Sequence, residues 1–285
     1  MTSPSDVASY VTLACLLEAS VAKPGNVAPG RPFRDMTYED FLASAVAIGP
    51  VLGQAGQRPL GETIRDAIRA THRWTRANTN LGMVLLLTPL ARAVLAGLEG
   101  NLRERVRMVL GATTVVDAAE VYGAIRLAGA GGLGQVEQQD LARAPSVNLL
   151  EAMRLAAGRD SVAAEYAGDF AVTFGTGLPA FRSARAEGLP WEGAVIETFM
   201  ALLAAHPDTL IARKLGGDVA GVVSQRAAGI ILVGGSRTAA GRAELAAFDA
   251  DLRDPQNSYN PGTTADLTAA AIFVALIEDG WRPDR

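Results

Sequence analysis

The spacing of apolar residues is helical along nearly the whole chain, and this limits the fold more than any other feature. In the segment 59–74, PLGETIRDAIRATHRW, one face collects Leu60, Ile64, Ala67, Ile68 and Thr71. The same spacing predicts further helices over 149–157, 161–172, 193–205, 238–253 and 263–278. Only IILVGG, residues 230–235, resembles a strand, and a sheet needs several strands. We therefore predict an all-α fold of about ten or more helices, arranged as one domain over 1–285.

The composition supports a folded core and argues against two other classes of protein. Hydrophobic residues make up 49% of the chain and the net charge is −4, whereas disordered chains combine low hydrophobicity with high charge. An acidic balance without a basic cluster does not suggest a nucleic-acid binder. The single cysteine, Cys15, lies in an apolar run and is predicted to be a core residue, which fits a reducing compartment.

Two segments bear on location. The first ten residues have no basic region followed by an apolar core, so the sequence does not predict a signal peptide. The most apolar segment, 81–98, contains Pro89 and Arg92 and is predicted to be a buried helix rather than a membrane span. We expect a cytoplasmic protein with no membrane partner; a homodimer is left open, because the sequence assigns no exposed apolar stripe.

Several familiar motifs are misleading or missing. GAGGLG matches a dinucleotide-binding pattern at Gly129, Gly131 and Gly134, but the segment before it is helical, and that fingerprint requires a strand there. We interpret it as a glycine turn that ends a helix. His72 and His206 are far apart in sequence, and one cysteine is too few for the usual zinc sites.

Lysine is almost absent, and the two lysines lie where helices break. Of the 26 lysines and arginines, only Lys23 and Lys214 are lysines. Breaks in a helical protein carry function more often than helix interiors do. Five charged breaks contain or directly follow glycine, proline or asparagine: 18–27, 33–40 (after Pro32), 76–82, 206–218 and 257–267.

The residue types in these breaks suggest a polyphosphate site. Mg²⁺ is commonly held by one or two carboxylates together with substrate phosphate, and lysine binds phosphate as a compact point charge. Asparagine suits sugar hydroxyls, and backbone N–H groups at a helix start attract phosphate. The predicted metal ligands are Glu18, Asp35, Asp208 and Asp266, and the predicted substrate contacts are Lys23, Lys214, Asn78, Asn80, Asn260, Gly262, Thr263 and Thr264. Each break also has a simpler interpretation as a turn or a helix cap.

The same stretches resemble the triphosphoribosyl-dephospho-CoA synthase family. The resemblance runs from about residue 10 to 278 and rests on an ordered set of motifs: Glu18 with KPGNV at 23–27, Asp35-Met36, NTNLG at 78–82, GGLG at 131–134 followed by Asp140, Asp208 to Arg213 with Gly216, and PGTTADL at 261–267. Asn26 and Arg213 enter the predicted substrate-binding set through these motifs.

The resemblance implies a helical transferase that uses ATP and 3′-dephospho-CoA. A ribose hydroxyl of the acceptor attacks C1′ of ATP, adenine leaves, and the triphosphate stays on the transferred sugar. Such a step builds positive charge at C1′ and releases a proton. We predict that Asp35 and Glu18 act as a general base or as metal ligands, and that Lys23 and Lys214 bind the phosphates. The predicted cofactor is Mg²⁺.

Two stretches depart from the family pattern. Members with this reaction read NTHKG where the chain reads NTNLG, and they carry a further histidine before the Asp-Met pair. An imidazole and an ammonium group are not replaced by an amide and a leucine. One alternative is therefore glycosyl or phosphoryl transfer to a different acceptor in pterin-linked one-carbon cofactor biosynthesis. Another is a non-catalytic helical protein that binds a nucleotide.

Overall fold

The fold was analysed in a computed structural model, which describes residues 2–129, 141, 143–281 and 283. These residues form fourteen α-helices and no strand, which confirms the predicted all-α class. The chain divides into two compact units. Unit one comprises residues 1–15 and 39–171, and unit two comprises residues 16–38 and 172–285. The prediction of a single domain over 1–285 remains a prediction.

Unit one contains most of the first eight helices, and α1 continues from it into unit two. The helices are α1 Pro4–Ser20, α2 Tyr38–Leu52, α3 Leu60–His72, α4 Leu81–Leu95, α5 Leu102–Gly111, α6 Val115–Ala128, α7 Leu149–Ala156 and α8 Ser161–Ala167. Helix α3 packs on α6, and α4 packs on α3 and α5. The predicted face of α3 is buried, from Leu60 to Thr71.

Unit two contains the remaining helices, which follow a π-helical turn at Thr173–Gly177. They are α9 Leu178–Ala186, α10 Trp191–Ala205, α11 Thr209–Leu215, α12 Gly217–Leu232, α13 Ala239–Asp251 and α14 Gly262–Asp279. Helix α14 is the core of this unit, because its residues from Leu267 to Leu276 are all buried and α9, α10 and α11 pack against it. This packing holds the amino terminus of α14 in a defined position within unit two.

Local signals explain where several helices start. Asn148 and Glu151 form a capping box at α7, and the Asp160 side chain accepts a hydrogen bond from the Ala163 amide at α8. Both helices begin where the sequence predicts them to begin, at 149 and 161. Equivalent capping boxes at Asn101 and Thr114 start α5 and α6. These side chains satisfy amides that have no partner within their own helix.

The strand-like segment 230–235 and the glycine-rich segment that begins at Gly129 are interpreted from sequence as a possible strand and a helix-ending turn. Residues 230–232 of the strand-like segment are the end of α12, where Ile230 is buried in a helical core rather than in a sheet. Helix α6 ends at Ala128, and Gly129 adopts the left-handed conformation with φ 62°, as expected for a glycine that ends a helix. Gly131, Gly132, Gly134 and Asp140 lie outside the described residues.

The apolar helices are core elements. Helix α4 is buried along most of its length, and Cys15 is buried as predicted. Among the described residues, each helix taken singly is too short or too polar to cross a membrane, although two bent helix pairs meet the length and composition test.

Candidate functional site

Four of the five predicted breaks meet in unit two. Asn26, from the KPGN loop, donates its Nδ2 to Oδ1 of Asn260 at 2.8 Å. Thr209, at the start of α11, donates to the hydroxyl of Thr263 at 3.2 Å. Asn257 lies within 3.5 Å of Asp35 and accepts a hydrogen bond from Lys214. Breaks predicted separately from the sequence are thus joined by direct contacts, which makes this cluster the candidate functional site.

Lys214 and Asp35 form the exposed, charged part of this cluster. Both side chains are exposed. Nζ of Lys214 donates to the carbonyl of Asn257 at 2.8 Å, and the Asn257 amide faces Oδ1 of Asp35 at 3.5 Å. Desolvation lowers the pKa of Lys214, while the nearby carboxylates of Asp254, Asp35 and Asp208 oppose that shift. An ammonium and a carboxylate therefore lie on the same open surface.

Lys23 has a different environment from the one its motif suggested. Its side chain is fully buried, with Nζ 3.0 Å from Oε1 of Glu18 and donating to the backbone carbonyls of Glu18 and Val21. An ammonium group has three N–H donors, and three acceptors already use them. Burial raises the pKa of Glu18, and the Lys23 charge opposes that rise. A phosphate contact by Lys23, or a metal or base role for Glu18, would require this pair to break.

Asp208 joins the amino termini of two helices. Its Oδ1 caps α11 by accepting from the amides of Leu210 and Ile211, at 2.8 and 3.1 Å. Its Oδ2 accepts from the amide and hydroxyl of Thr264, at 2.7 and 2.8 Å, on the first turn of α14. Burial raises the pKa of Asp208, and the hydrogen bonds from Thr264 oppose that shift. Because its two oxygens already accept four hydrogen bonds, the Asp208 carboxylate is better suited to joining α11 and α14 than to binding a metal ion.

Three further predicted residues of unit two lie on the same two helices: Gly262 and Asp266 on α14, and Arg213 on α11. Gly262 opens α14, and a Cβ at this position would lie 2.7 Å from Cδ2 of Leu210, so only glycine fits here without a shift. Arg213 precedes Lys214 in the last turn of α11 and is half-buried. Asp266 lies one turn into α14 and is also half-buried.

Asn78 and Asn80 belong to unit one, where both have local partners. Oδ1 of Asn78 accepts from the amide of Leu81 at 3.3 Å, close to the start of α4. Asn80 is buried, and its amide group exchanges hydrogen bonds with the Thr71 hydroxyl at 3.0 and 3.3 Å. Leu81 is buried as well. In this chain Thr79, Asn80 and Leu81 of the NTNLG loop are therefore packed into the fold of unit one, whereas Asn78 is exposed.

Sequence reasoning missed four residues of the cluster. Asn257 and Asp254 lie close to Lys214, and Asp249 and Arg253 hold the KPGN loop. Asn257 lies in the predicted break 257–267, but the sequence assigns it no role, and Asp254 lies just before that break. Asp249 and Arg253 have the spacing of a common surface ion pair, so only their burial and their distant partners distinguish them.

The described carboxylates do not form a ready-made metal cage. Among the described residues, no group of three or more histidine, cysteine, aspartate or glutamate side chains is placed to hold a metal ion. Of the predicted ligands, Glu18 is ion-paired and Asp208 is saturated with donors, whereas Asp35 is exposed. Asp35 thus fits a Mg²⁺ ion that arrives with substrate phosphates, which needs only one or two protein carboxylates.

Comparison with known proteins supports the family resemblance that the motifs indicated. The family model described as ATP:dephospho-CoA triphosphoribosyl transferase matches residues 4–285. The chain belongs to this family. The match includes unit two with all of its clustered motifs, and unit one from residue 4 onward.

Individual relatives agree with this assignment. A Pseudomonas putida protein assigned as a 2-(5''-triphosphoribosyl)-3'-dephosphocoenzyme-A synthase is 34% identical over 105 residues, which is 37% of this chain and 37% of that protein. A Citrobacter koseri protein of the same assignment is 26% identical over 86% of this chain and 80% of its own length. The chain thus aligns with little more than a third of the length of the Pseudomonas putida relative.

A solved structure shows the same fold. The crystal structure of an Archaeoglobus fulgidus protein, assigned as a triphosphoribosyl-dephospho-CoA synthase, has a TM-score of 0.64 and 30% sequence identity. It covers 85% of this chain and 100% of its own. The family assignment and the all-helical architecture are therefore consistent with each other.

Proposed function

We propose that this chain transfers the triphosphoribosyl group of ATP to 3′-dephospho-CoA and releases adenine. The observation that carries the proposal is the convergence in unit two of four helix breaks that contain family motifs, through the contacts Asn26–Asn260, Asp35–Asn257, Lys214–Asn257 and Thr209–Thr263. Family membership supplies the reaction, and this cluster supplies an open surface on which an ammonium and a carboxylate lie together.

The chemistry is a substitution at C1′ of the ATP ribose. The bond between C1′ and the adenine nitrogen breaks, a bond from the acceptor's ribose hydroxyl oxygen to C1′ forms, and the hydroxyl proton leaves. Asp35 is the proposed base for that proton, because it is the exposed carboxylate of the cluster. A positioned base contributes about 10²–10⁴-fold. Its negative charge also stabilises the positive charge that develops at C1′.

Lys214 is the proposed phosphate contact. Its Nζ donates one hydrogen bond to the Asn257 carbonyl, so two of its three N–H donors can turn toward a triphosphate. Asn26 and Asn260 are the proposed contacts for the sugar, since amides both donate and accept. Holding the triphosphate at one end and the ribose at the other would fix C1′ against the acceptor.

Mg²⁺ is the proposed cofactor, with one oxygen of Asp35 and the substrate phosphates as its ligands. The second oxygen of Asp35 is then left for the hydroxyl proton. When bound, the metal ion would neutralise phosphate charge that Lys214 alone leaves uncompensated. Glu18 and Asp208 are less suited to it, because their oxygens already bind Lys23 and Thr264. Asp266 stays a second candidate ligand on α14.

A second candidate function has a different acceptor. Asn80 and Leu81 occupy the positions of the histidine and lysine in the NTHKG pattern, and both are buried here. The chain therefore lacks two polar groups that the family pattern places in this loop. An acceptor from pterin-linked one-carbon cofactor biosynthesis, which would not need these groups, is the alternative.

The test is adenine release from ATP and Mg²⁺ by the purified protein, followed by chromatography. Release that depends on 3′-dephospho-CoA supports the proposed function. Release that depends instead on a pterin acceptor supports the alternative. ATP binding without release under any of these conditions would assign the chain to a nucleotide-binding role and overturn both transferase proposals.

A further inference from the structure

A buried carboxylate on α13 holds the KPGN loop in place. Asp249 is 7% exposed, and its Oδ1 accepts a hydrogen bond from the Gly25 amide at 2.8 Å. Its Oδ2 accepts from Nη1 of Arg31 at 2.6 Å, on the far side of the loop. One side chain thus binds the loop at two points that are six residues apart.

Arg253 extends this grip to Asn26. Its guanidinium binds both oxygens of Asp249, at 2.9 to 3.1 Å, and its Nη2 donates to the backbone carbonyl of Asn26 at 2.7 Å. The planar fork of arginine can bind two acceptors at once, which an ammonium group does with less directional control. The Asp249–Arg253 ion pair therefore fixes both the amide of Gly25 and the carbonyl of Asn26.

The loop has little freedom to adopt another conformation. Gly25 is left-handed, with φ 73°, and a Cβ there would lie 2.9 Å from Cδ of Pro261 and 3.0 Å from Cβ of Leu252. Asn26 is 6% exposed and donates Nδ2 to Asn260. Its Oδ1 is buried and has no hydrogen-bond partner among the described residues. A buried acceptor without a donor is unfavourable, so its persistence calls for an explanation.

We propose that Asp249 and Arg253 are positioning residues, which hold Asn26 so that its Oδ1 accepts a hydrogen bond from the substrate. The ligand group is an O–H or N–H donor of the nucleotide. The inference rests on the proposed function, because it assigns the same site its donor partner. Asp249 and Arg253 act through Asn26 and do not themselves contact the nucleotide.

The test compares Arg253→Lys with Asn26→Ala and with the double variant. Lysine keeps a cation beside Asp249, but it cannot reproduce the fork that also reaches the Asn26 carbonyl. We expect Arg253→Lys to raise the KM for ATP in adenine release roughly tenfold, because small misplacements of a binding group are costly. If Arg253 acts through Asn26, the double variant has the KM of Asn26→Ala alone, since the two changes remove one interaction.

Asp251→Asn is the matched control. Asp251 lies on α13, as Asp249 does, and its exposed side chain pairs with Arg226. The Asp251→Asn variant should therefore keep the wild-type KM for ATP. A purely structural role of Arg253 would lower the thermal midpoint and the amount of active protein while leaving KM unchanged, and that result would overturn the inference. Additive effects of the two substitutions would overturn it as well.

The outcome also separates this inference from the proposed function. If the wild-type protein neither binds ATP nor releases adenine, the proposed function fails, and the positioning role fails with it. If the wild type is active and Arg253→Lys keeps the wild-type KM for ATP, only the positioning role fails.

Discussion

At the scale of single residues, the two lysines of the chain have opposite environments. Lys23 is buried against Glu18 and backbone carbonyls, whereas Lys214 is exposed beside Asp35 and Asn257. A buried ion pair gains attraction in a low dielectric but loses hydration, so breaking it by removing one partner is costly. Lys23 is therefore expected to matter for stability, and Lys214 for ligand binding.

Replacing Lys23 tests this division. Lys23→Met leaves the Glu18 carboxylate buried without its partner, and we expect the free energy of unfolding to fall by about 3–5 kcal/mol, measured by urea denaturation. The double variant Glu18→Gln with Lys23→Met removes both charges and should recover part of the loss. A stable Lys23→Met protein that no longer binds ATP would instead support the phosphate contact that the sequence suggested.

Asp35 is the residue on which the proposed chemistry depends most. Because Asp35 is exposed, Asp35→Asn should change the free energy of unfolding by no more than about 0.5 kcal/mol. The rate of adenine release should fall by at least about 10²-fold, because the amide cannot accept the acceptor's proton. Asp251→Asn controls for the loss of a surface carboxylate. Full activity of Asp35→Asn would remove Asp35 from the mechanism.

The sequence located the loops of the candidate site better than the roles of their residues. Motif spacing brought together Asn26, Asp35, Lys214 and Asn260, whose stretches do meet in unit two. It could not show that the oxygens of Asp208 are already occupied, because saturation of a carboxylate depends on contacts 56 residues away. For the same reason it missed Asp249, whose partner amide lies 224 positions distant.

At the scale of secondary-structure elements, helices were predictable where the signal was local. The periodicity of α3 and the caps of α7 and α8 involve residues within a few positions of each other. The π-helical turn at Thr173–Gly177 has no such signal, since it depends on how the surrounding helices pack. A Cβ on Gly177, for instance, would lie 2.9 Å from Cβ of Ala271 on α14.

That π-helical turn contacts the end of α10 through a histidine. The hydroxyl of Thr176 lies 3.2 Å from Nε2 of His206, and partial burial lowers the pKa of His206 from its ordinary value of 6.5. The unfolded chain therefore binds a proton at His206 more readily than the folded chain does. Because of this difference, the folded state loses stability as the pH falls below about 6.5.

The pH dependence of unfolding checks this contribution. We expect His206→Gln to lose less stability than the wild type between pH 7.5 and pH 5.5 in urea denaturation, because the glutamine does not titrate. Thr176→Val removes the hydroxyl partner but keeps the imidazole, so it should retain the acid-side loss. Parallel pH profiles for the wild type and His206→Gln would contradict the assignment.

At the scale of the whole molecule, the residues of the candidate site are concentrated in unit two. The family match covers both units, but the motif residues with direct mutual contacts lie in residues 16–38 and 206–264. The NTNLG loop in unit one departs from the family pattern, and its altered residues Asn80 and Leu81 are buried. The stretch before Asp35, in unit two, departs from the pattern as well.

The stability of the whole protein should report how Mg²⁺ binds. The described carboxylates form no preformed metal group, and Asp35 alone is a weak ligand for a strongly hydrated ion. We therefore expect Mg²⁺ alone to leave the thermal midpoint unchanged, and ATP with Mg²⁺ to raise it. A ligand at 100 times its Kd adds about 2.7 kcal/mol to the free energy of unfolding, which corresponds to a shift of several degrees in a chain of this size. ATP with EDTA should give a smaller shift, and Asp35→Asn should reduce the difference between the two conditions. A large shift with Mg²⁺ alone would contradict this, because it would require a metal site that exists before the nucleotide binds.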